Sequence, residues 1–271
     1  MDLQAYLGRL RCAAPHKRDA AALAALHLAH LQTIPFENLD IHLDRPISLE
    51  LPALFDKIVR QGRGGFCYEL NGLFAAGLQA LGFGVTHLAA SDAHYDGTFG
   101  PEFDHLALLV TCPGDPQRWL VDVGWGDTFQ FPLHIDETVP QPQNGRSYRL
   151  DPLDGGYLLL WQCERDGTWE RQYRLSLQPR RFPDDYLETC VFHQTSPRTI
   201  FTRKRICTLA TPDGRVTLDQ TRLIETGNGQ RQETPAEDPE IYRQLLAEKF
   251  GIHLDAGAVQ TMFARSEPTP A

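Results

Sequence analysis

Apolar residues in the first third of the chain recur at helical spacing. From Asp19 to Gln32, "DAAALAALHLAHLQ" opens on an acid, is built largely of Ala and Leu, sets Leu23, Leu26 and Leu31 near one face, and ends ahead of Pro35. In "SLELPALFDKIVRQG", Ser48 can cap the start and Leu51, Leu54, Phe55, Ile58 and Val59 follow the i, i+3, i+4, i+7, i+8 stripe. Gly62 suits the exit from that helix. A third stripe, Leu70, Leu73, Phe74, Leu78 and Leu81, begins at Cys67 and stops at Gly82. Cys67 therefore stands at or next to a helix N-terminus.

Beyond Gly84 the period changes. Val85 to Ala90, His105 to Thr111, Trp119 to Val123, Tyr157 to Cys163 and Trp169 to Leu177 read as short strands parted by Gly, Pro and Asp, a spacing that suits an antiparallel barrel or sandwich. "ETVPQPQNGRS" is expected to be a loop inside this region. The last third mixes both signals. "ICTLATPDGRVTLDQTRLIET" predicts hairpin strands around Asp213 and Gly214, and "DPEIYRQLLAEKFGI" predicts a helix with Pro239 in its first turn and Gly251 at its end. The tail "RSEPTPA" is expected to be disordered.

A chain of 271 residues can bury a substantial core and hold two or three compact units. Its 42% hydrophobic and 23% charged residues are those of an ordinary soluble globule. A net charge of −9 argues against a nucleic-acid or anionic-membrane surface, since both draw on an excess of Lys and Arg. The N-terminus lacks the basic and apolar regions of a signal peptide and no apolar run approaches the roughly 20 residues of a membrane span, so a cytoplasmic location is expected. The six cysteines are scattered without a C-x-x-C pair, which suggests neither a zinc site nor a disulfide framework. His27 and His30 lie one helical turn apart with no further ligand type on that segment, so they are expected to be packed or solvated rather than metal-bound.

The stretch "GRGGFCYELNGLF" is where chemistry enters. A thiol attacks only as the thiolate, and a helix N-terminus favours the anion, so position alone should lower the Cys67 pKa. Gly64 and Gly65 are expected to let a substrate approach the backbone, and Arg63 adds positive charge. The competing reading is a small buried residue that happens to start a helix. A partner decides between them, and "FDHLALLVTCPGDPQRWLVDVGWG" offers one. If Pro113 and Gly114 are the centre of a tight turn, Cys112 opposes Asp115 and, counting outward, His105 opposes Asp122. A His held by an acid is what a cysteine nucleophile requires.

Cys67 within R-G-G-F-C-Y-E-L-N, His105 within D-H-L-A-L-L-V and Asp122 within V-D-V-G-W-G, preceded by "IPFENLDIHL", resemble the arylamine N-acetyltransferase family in order and spacing. The resemblance implies an α+β fold with a cysteine-protease-like Cys-His-Asp triad. Its parts would be an N-terminal helical bundle carrying Cys67 over residues 1–84, an antiparallel β-barrel carrying His105 and Asp122 over 85–190, and a C-terminal α/β lid over 191–271. It implies that Cys67 accepts the acetyl group, that His105 is its base and that Asp122 orients the His, with an ion pair between Arg63 and Glu37 beneath and Asn71 nearby. The family usually carries Phe at the position of Trp125, which lines the acceptor pocket.

Acetyl-CoA would be the donor substrate, a small aromatic amine or hydrazine the acceptor, with no metal and no bound prosthetic group. Two thioester-level steps predict ping-pong kinetics. Phe36, Phe66 and Trp125 are candidates for an apolar slot around the ring. There is no P-loop or G-x-G-x-x-G after a strand, and the run from Thr189 to Pro212, acid-free with Arg198, Arg203, Lys204 and Arg205, is either a coenzyme contact or a charged strand edge. Two other chemistries use the same residues: an amide synthase of this fold fed by a carrier-bound acyl chain, and a thiol hydrolase or transglutaminase-like enzyme.

Overall fold

The computed structural model describes residues 1–264; the tail "RSEPTPA" lies outside the described residues. The predicted helices form. Asp19 caps Ala20–Thr33, its carboxylate accepting from the Ala22 N–H at 2.9 Å. The second predicted helix is split into an α-helical Leu51–Phe55 and a π-helical turn, Asp56–Arg60, before Gly62 leaves at φ +68°. Ser48 is not its cap: the hydroxyl bonds to Glu50 N, short of the helix, because Pro52 at the helix start moves the first turn downstream. Cys67–Leu81 is the central helix, ended by Gly82 at φ +90°. All of its residues except Ala76, Gln79 and Ala80 are buried, and Gly72 and Gly77 give way to the rings of Phe182 and Tyr6. Leu70, Leu73 and Phe74 share one core with Leu106, Leu108 and Val121 of the adjoining strands.

Those strands belong to an eight-stranded antiparallel sheet. Its order from edge to edge is Leu133–His134, Arg118–Val121, His105–Thr111, Gly84–Asp92, Trp169–Ser176, Tyr157–Cys163, Arg146–Leu153 and Gln141–Gln143. The two edges meet through side chains. Gln141 accepts from His134 N and donates to His134 O, and Gln143 does the same for Phe131 while also accepting from Gln130 N. The sheet is thereby nearly closed into a barrel. The expected loop "ETVPQPQNGRS" thus contains a strand and a tight hairpin, with Asn144 and Gly145 at φ +49° and +81° as an Asn-Gly turn demands.

The hairpin carrying His105 runs in a different register from the predicted one. Leu108 pairs with Val121 and Thr111 with Arg118, a shift of two residues. The Pro113-Gly114 turn does form, with Asp115 N bonded to Cys112 O, but Asp115 to Gln117 follow it before the next strand begins. An even shift keeps the faces, so His105 and Asp122 stay on the same side although they are not directly opposed.

A five-stranded sheet completes the molecule, in the order Phe36–Glu37, Ile206–Thr211, Gly214–Asp219, Arg222–Gly227 and Gln230–Pro235. The first hairpin turns at Pro212 and Asp213, one residue before the predicted pair. Helices Pro239–Phe250 and Ala256–Ala264 pack on this sheet through Tyr242, Leu246, Val259 and Met262. The short helices Leu187–Thr195 and Ile200–Arg203, which carry no clear sequence stripe, connect the two sheets. No described helix is long and apolar enough to cross a membrane.

Candidate active site

Cys67 is the first residue of the central helix and is buried. The chain approaches it through Phe66 in extended conformation, whose N–H is taken by Glu69 Oε2 at 3.1 Å. Gly64 and Gly65 serve packing rather than substrate access: a Cβ at Gly64 would lie 2.0 Å from Pro35 O, and one at Gly65 would lie 2.7 Å from Glu69 Cβ. Beneath the helix start, five buried or nearly buried charges interlock. Arg63 holds Glu37 Oε1 through Nε and Nη2 at 3.0 and 2.7 Å and reaches Asp40 at 3.0 Å. Lys57 bridges Asp40 and Glu69 at 2.8 and 2.7 Å. Three carboxylates against two cations leave one acid in surplus, and burial pushes Glu69 up to about 7 despite Lys57.

Asp122 follows the last residue of Arg118–Val121 and turns its side chain into the protein. Its carboxylate is fully satisfied. Oδ1 accepts from Asn71 Nδ2 and Gly124 N, both at 2.9 Å; Oδ2 accepts from His105 Nε2 at 2.7 Å and from the Tyr173 hydroxyl at 3.0 Å. Asn71 also donates to Leu106 O and accepts from Val123 N, tying helix, strand and turn together. His27 braces the same turn from behind, with Nδ1 on Gln130 O at 2.8 Å and Nε2 facing the Asp122 backbone. Burial lowers the His27 pKa, so it stays neutral, and His30 is likewise buried. No group of residues suited to a metal ion occurs among the described residues.

A carboxylate only accepts, so His105 Nε2 carries a hydrogen and Nδ1 is the nitrogen left to exchange protons. Burial pulls the His105 pKa down, but Asp122, Asp92 and Asp104 outweigh it and the net direction is up. Cys67 does not follow the helix-end expectation. Burial pushes its thiol well up, Asp92 and Asp122 add to this, and a backbone hydrogen bond to Leu106 opposes them too weakly. The partial charge of a helix end is smaller than the loss of water, so the anion depends on a full positive charge from the imidazole.

Cys67 and His105 open on one cavity of about 230 Å³, lined also by Phe36, Gly124, Trp125, Ile200 and Phe201. Trp125 stands edge-on to His105 with ring centres 4.9 Å apart and is anchored by its indole N–H on Gln172. Phe66 is not among the lining residues; it is fully buried against Tyr68 and Phe201. The basic run is mostly engaged in structure. Arg198 covers Phe192, Lys204 pairs with Asp219 at 2.9 Å, and Arg205 is buried against Tyr242 and Phe263. Asp92 and Ile206 also line the cavity and carried no sequence signal for it, whereas Asp104, another lining residue, opens the His105 motif and Lys204 belongs to the basic run; Asn71, Tyr173 and His27 complete the Asp122 environment, and of these only Asn71 stands within a motif.

A helix-borne thiol and a barrel-borne histidine held by a buried carboxylate, the first two facing one largely apolar cavity, define the frame of enzymes that carry acyl groups on cysteine. A family model described as N-acetyltransferase matches residues 19–259, and the chain belongs to that family. It is 34% identical over 258 residues to a proansamycin X synthase from Amycolatopsis mediterranei, covering 91% of this chain and 95% of that one. It is 32% identical over 254 residues to the arylamine N-acetyltransferase / N-hydroxyarylamine O-acetyltransferase of Salmonella typhimurium, covering 92% and 88%. The solved arylamine N-acetyltransferase of Mycobacterium marinum superposes with a TM-score of 0.90 at 31% identity, covering 98% and 99%, and its complex with CoA with 0.89.

Proposed function

We propose that this protein moves an acetyl group from acetyl-CoA to the nitrogen of arylamines, and of arylhydrazines or N-hydroxyarylamines, through an acetyl-Cys67 thioester. The observation that carries the reading is the shared cavity of Cys67 and His105, with His105 tied to Asp122 at 2.7 Å. Its support is the family membership and the two arylamine N-acetyltransferases that match nearly the whole chain.

In the first half-reaction the Cys67 sulfur, held as thiolate by the His105 imidazolium, attacks the thioester carbonyl; the bond to the coenzyme sulfur breaks and the leaving thiolate takes the imidazolium proton. One thioester replaces another, so the step is close to balanced in free energy. In the second, an arylamine, neutral at pH 7, attacks the acetyl carbon, His105 accepts the amine proton and Cys67 leaves as thiolate. Asp122 keeps the ring in one tautomer and stabilises the imidazolium, and Asn71, Tyr173 and His27 hold Asp122 in place. Phe36 and Trp125 would flank the acceptor ring. The division into units 1–84, 85–190 and 191–271 belongs to the same proposal, with the coenzyme reaching Cys67 between the second and the third. So does a cytoplasmic location, where thiols such as the free cysteines stay reduced.

Intact-mass measurement tests this directly. Acetyl-CoA should add one acetyl group to the wild type and none to Cys67→Ser, and an aromatic amine should discharge it. A second reading is an amide synthase of this fold with a carrier-bound donor, and the match to a proansamycin X synthase, a relative not named as an arylamine acetyltransferase, keeps it in play. A protein that ignores acetyl-CoA but is acylated by a longer thioester would establish that one instead, and cleavage of a peptide or ester without acylation by either would sink both.

A further inference from the structure

The cavity over Cys67 is not apolar on every side. Among its lining residues are two carboxylates, Asp92 and Asp104. Neither hydrogen-bonds to His105 or completes the Asp122 environment, whose four donors are all accounted for. Asp92 ends the strand Gly84–Asp92, two residues beyond Ala90, which directly opposes His105. Strand alternation therefore puts Asp92 on the face of the sheet that carries His105. Its Oδ1 is buried and makes no hydrogen bond. Asp104 adjoins His105 in the chain, lies nine-tenths buried, and places Oδ1 3.0 Å from His193 Nε2. Room for it is made at Gly100, where a Cβ would come within 2.1 Å of Asp104 Oδ2.

A buried carboxylate oxygen without a donor is unfavourable in the free protein and is satisfied by a ligand that brings one. His105 pulls on Asp92 when charged, but in the acetylated enzyme it has given up its proton to the leaving coenzyme thiolate, and nearby Lys and Arg side chains do not cancel the pair. Lys204, the cation on the cavity wall, is paired with Asp219, and Lys57 and Arg63 below are engaged with Glu37, Asp40 and Glu69. We propose that Asp92, backed by Asp104, determines acceptor specificity. It selects aromatic amines that bear a hydrogen-bond-donating or cationic group on the ring and turns away those that bear a carboxylate. This rests on the acetyl-transfer reading above.

The test uses acetylated enzyme freed of coenzyme at pH 8, above the value of about 7 to which burial and Asp104 push the Asp92 carboxyl, so that it is mostly ionised; it follows discharge by 4-aminobenzamidine, 4-aminobenzamide and 4-aminobenzoate, which share a shape and differ in charge. Ring electronics run against the proposal, since the amidinium withdraws most electron density and leaves the weakest nucleophile. The wild type should nevertheless react with the amidine about tenfold faster than with the benzoate, as one unit charge near a partly screened carboxylate allows. Asp92→Asn and Asp92→Ser should each lower that ratio about fivefold or more. The ratio is internal to each protein, so partial misfolding lowers both rates and leaves it unchanged. Wild-type enzyme that discharges onto the benzoate as fast as onto the amidine overturns the proposal, whatever the variants do, and so does a ratio unmoved by either substitution. Absence of the acetyl group on Cys67 would count against the enzymatic reading instead.

Discussion

Asp92 also makes the fold sensitive to pH. Burial, and then Asp104, push its carboxyl from an ordinary 3.8 up to about 7, against the pull of His105 and His193, while Asp122 adds to the rise. Between those values the native state binds more protons than the unfolded chain, so the stability this group contributes falls as pH climbs from about 4 to 7. Asp92→Asn removes that dependence. The midpoint of thermal unfolding of Asp92→Asn relative to wild type should rise between pH 5 and pH 8, by an amount worth on the order of 1 kcal/mol. An unchanged difference across that range would place Asp92 in contact with water. Nothing in "AASDAHYDGTFG" marks this residue in advance. It reads as one polar position in a turn-rich stretch, and only the strand register with His105 turns it inward. Cys67, His105 and Asp122 were legible because each sits in a motif with its own spacing, whereas Tyr173 and His27 reach Asp122 from segments that carry none.

At the scale of elements, the placement of Cys67 depends on one close approach. The turn after Asp122 passes so near the central helix that a Cβ on Gly124 would lie 2.7 Å from Cys67 Cα, 2.9 Å from Cys67 O and 2.7 Å from Asn71 Nδ2. Two of those contacts are backbone and cannot swing away. Gly124→Ala should cost about 2–3 kcal/mol in denaturant melts and slow acetylation of Cys67. Gly8→Ala, in a helix with nothing within 4 Å, should be neutral or gain up to about 1 kcal/mol. Equal stability of the two variants would show that the turn can retreat from the helix. The helices Ala20–Thr33, Cys67–Leu81 and Pro239–Phe250 and five strands were predictable to within two residues from apolar period and end signals, His105–Thr111 and Tyr157–Cys163 without error, whereas the start and π turn of the second helix and the stripeless Leu187–Thr195 and Ile200–Arg203 were not. Register was not, because it depends on how many residues the chain spends after a turn, and the three from Asp115 to Gln117 look like part of the turn. The same holds for Gly64 and Gly65, whose need for small size comes from Pro35 and Glu69, and packing partners are invisible in a local pattern.

Across the whole molecule, the first and last thirds are joined next to the cavity by the strand pair Phe36–Thr208 and by the side chain of Asn38. Asn38 donates to Phe201 O and Lys204 O at 2.9 and 2.7 Å and accepts from Ile206 N at 2.9 Å, and the segment it holds contributes Ile200, Phe201, Lys204 and Ile206 to the cavity wall. Asn38→Ala leaves those backbone groups unpaired, a loss of about 1–3 kcal/mol. Hydrogen exchange at residues 199–206 should quicken, and the acceptor KM should rise more than the acetylation rate falls. Unchanged exchange there would mean that the strand pair Phe36–Thr208 alone fixes the wall. The barrel seam has a consequence of another kind. An open eight-stranded sheet offers two bare rims to any extended chain that meets it, and a crowded solution supplies many. Here a glutamine amide imitates the missing peptide unit at each meeting point, so that a stranger's backbone finds its donors and acceptors already taken. On the barrel's own rims, protection from strand addition falls to the side chains of Gln141 and Gln143.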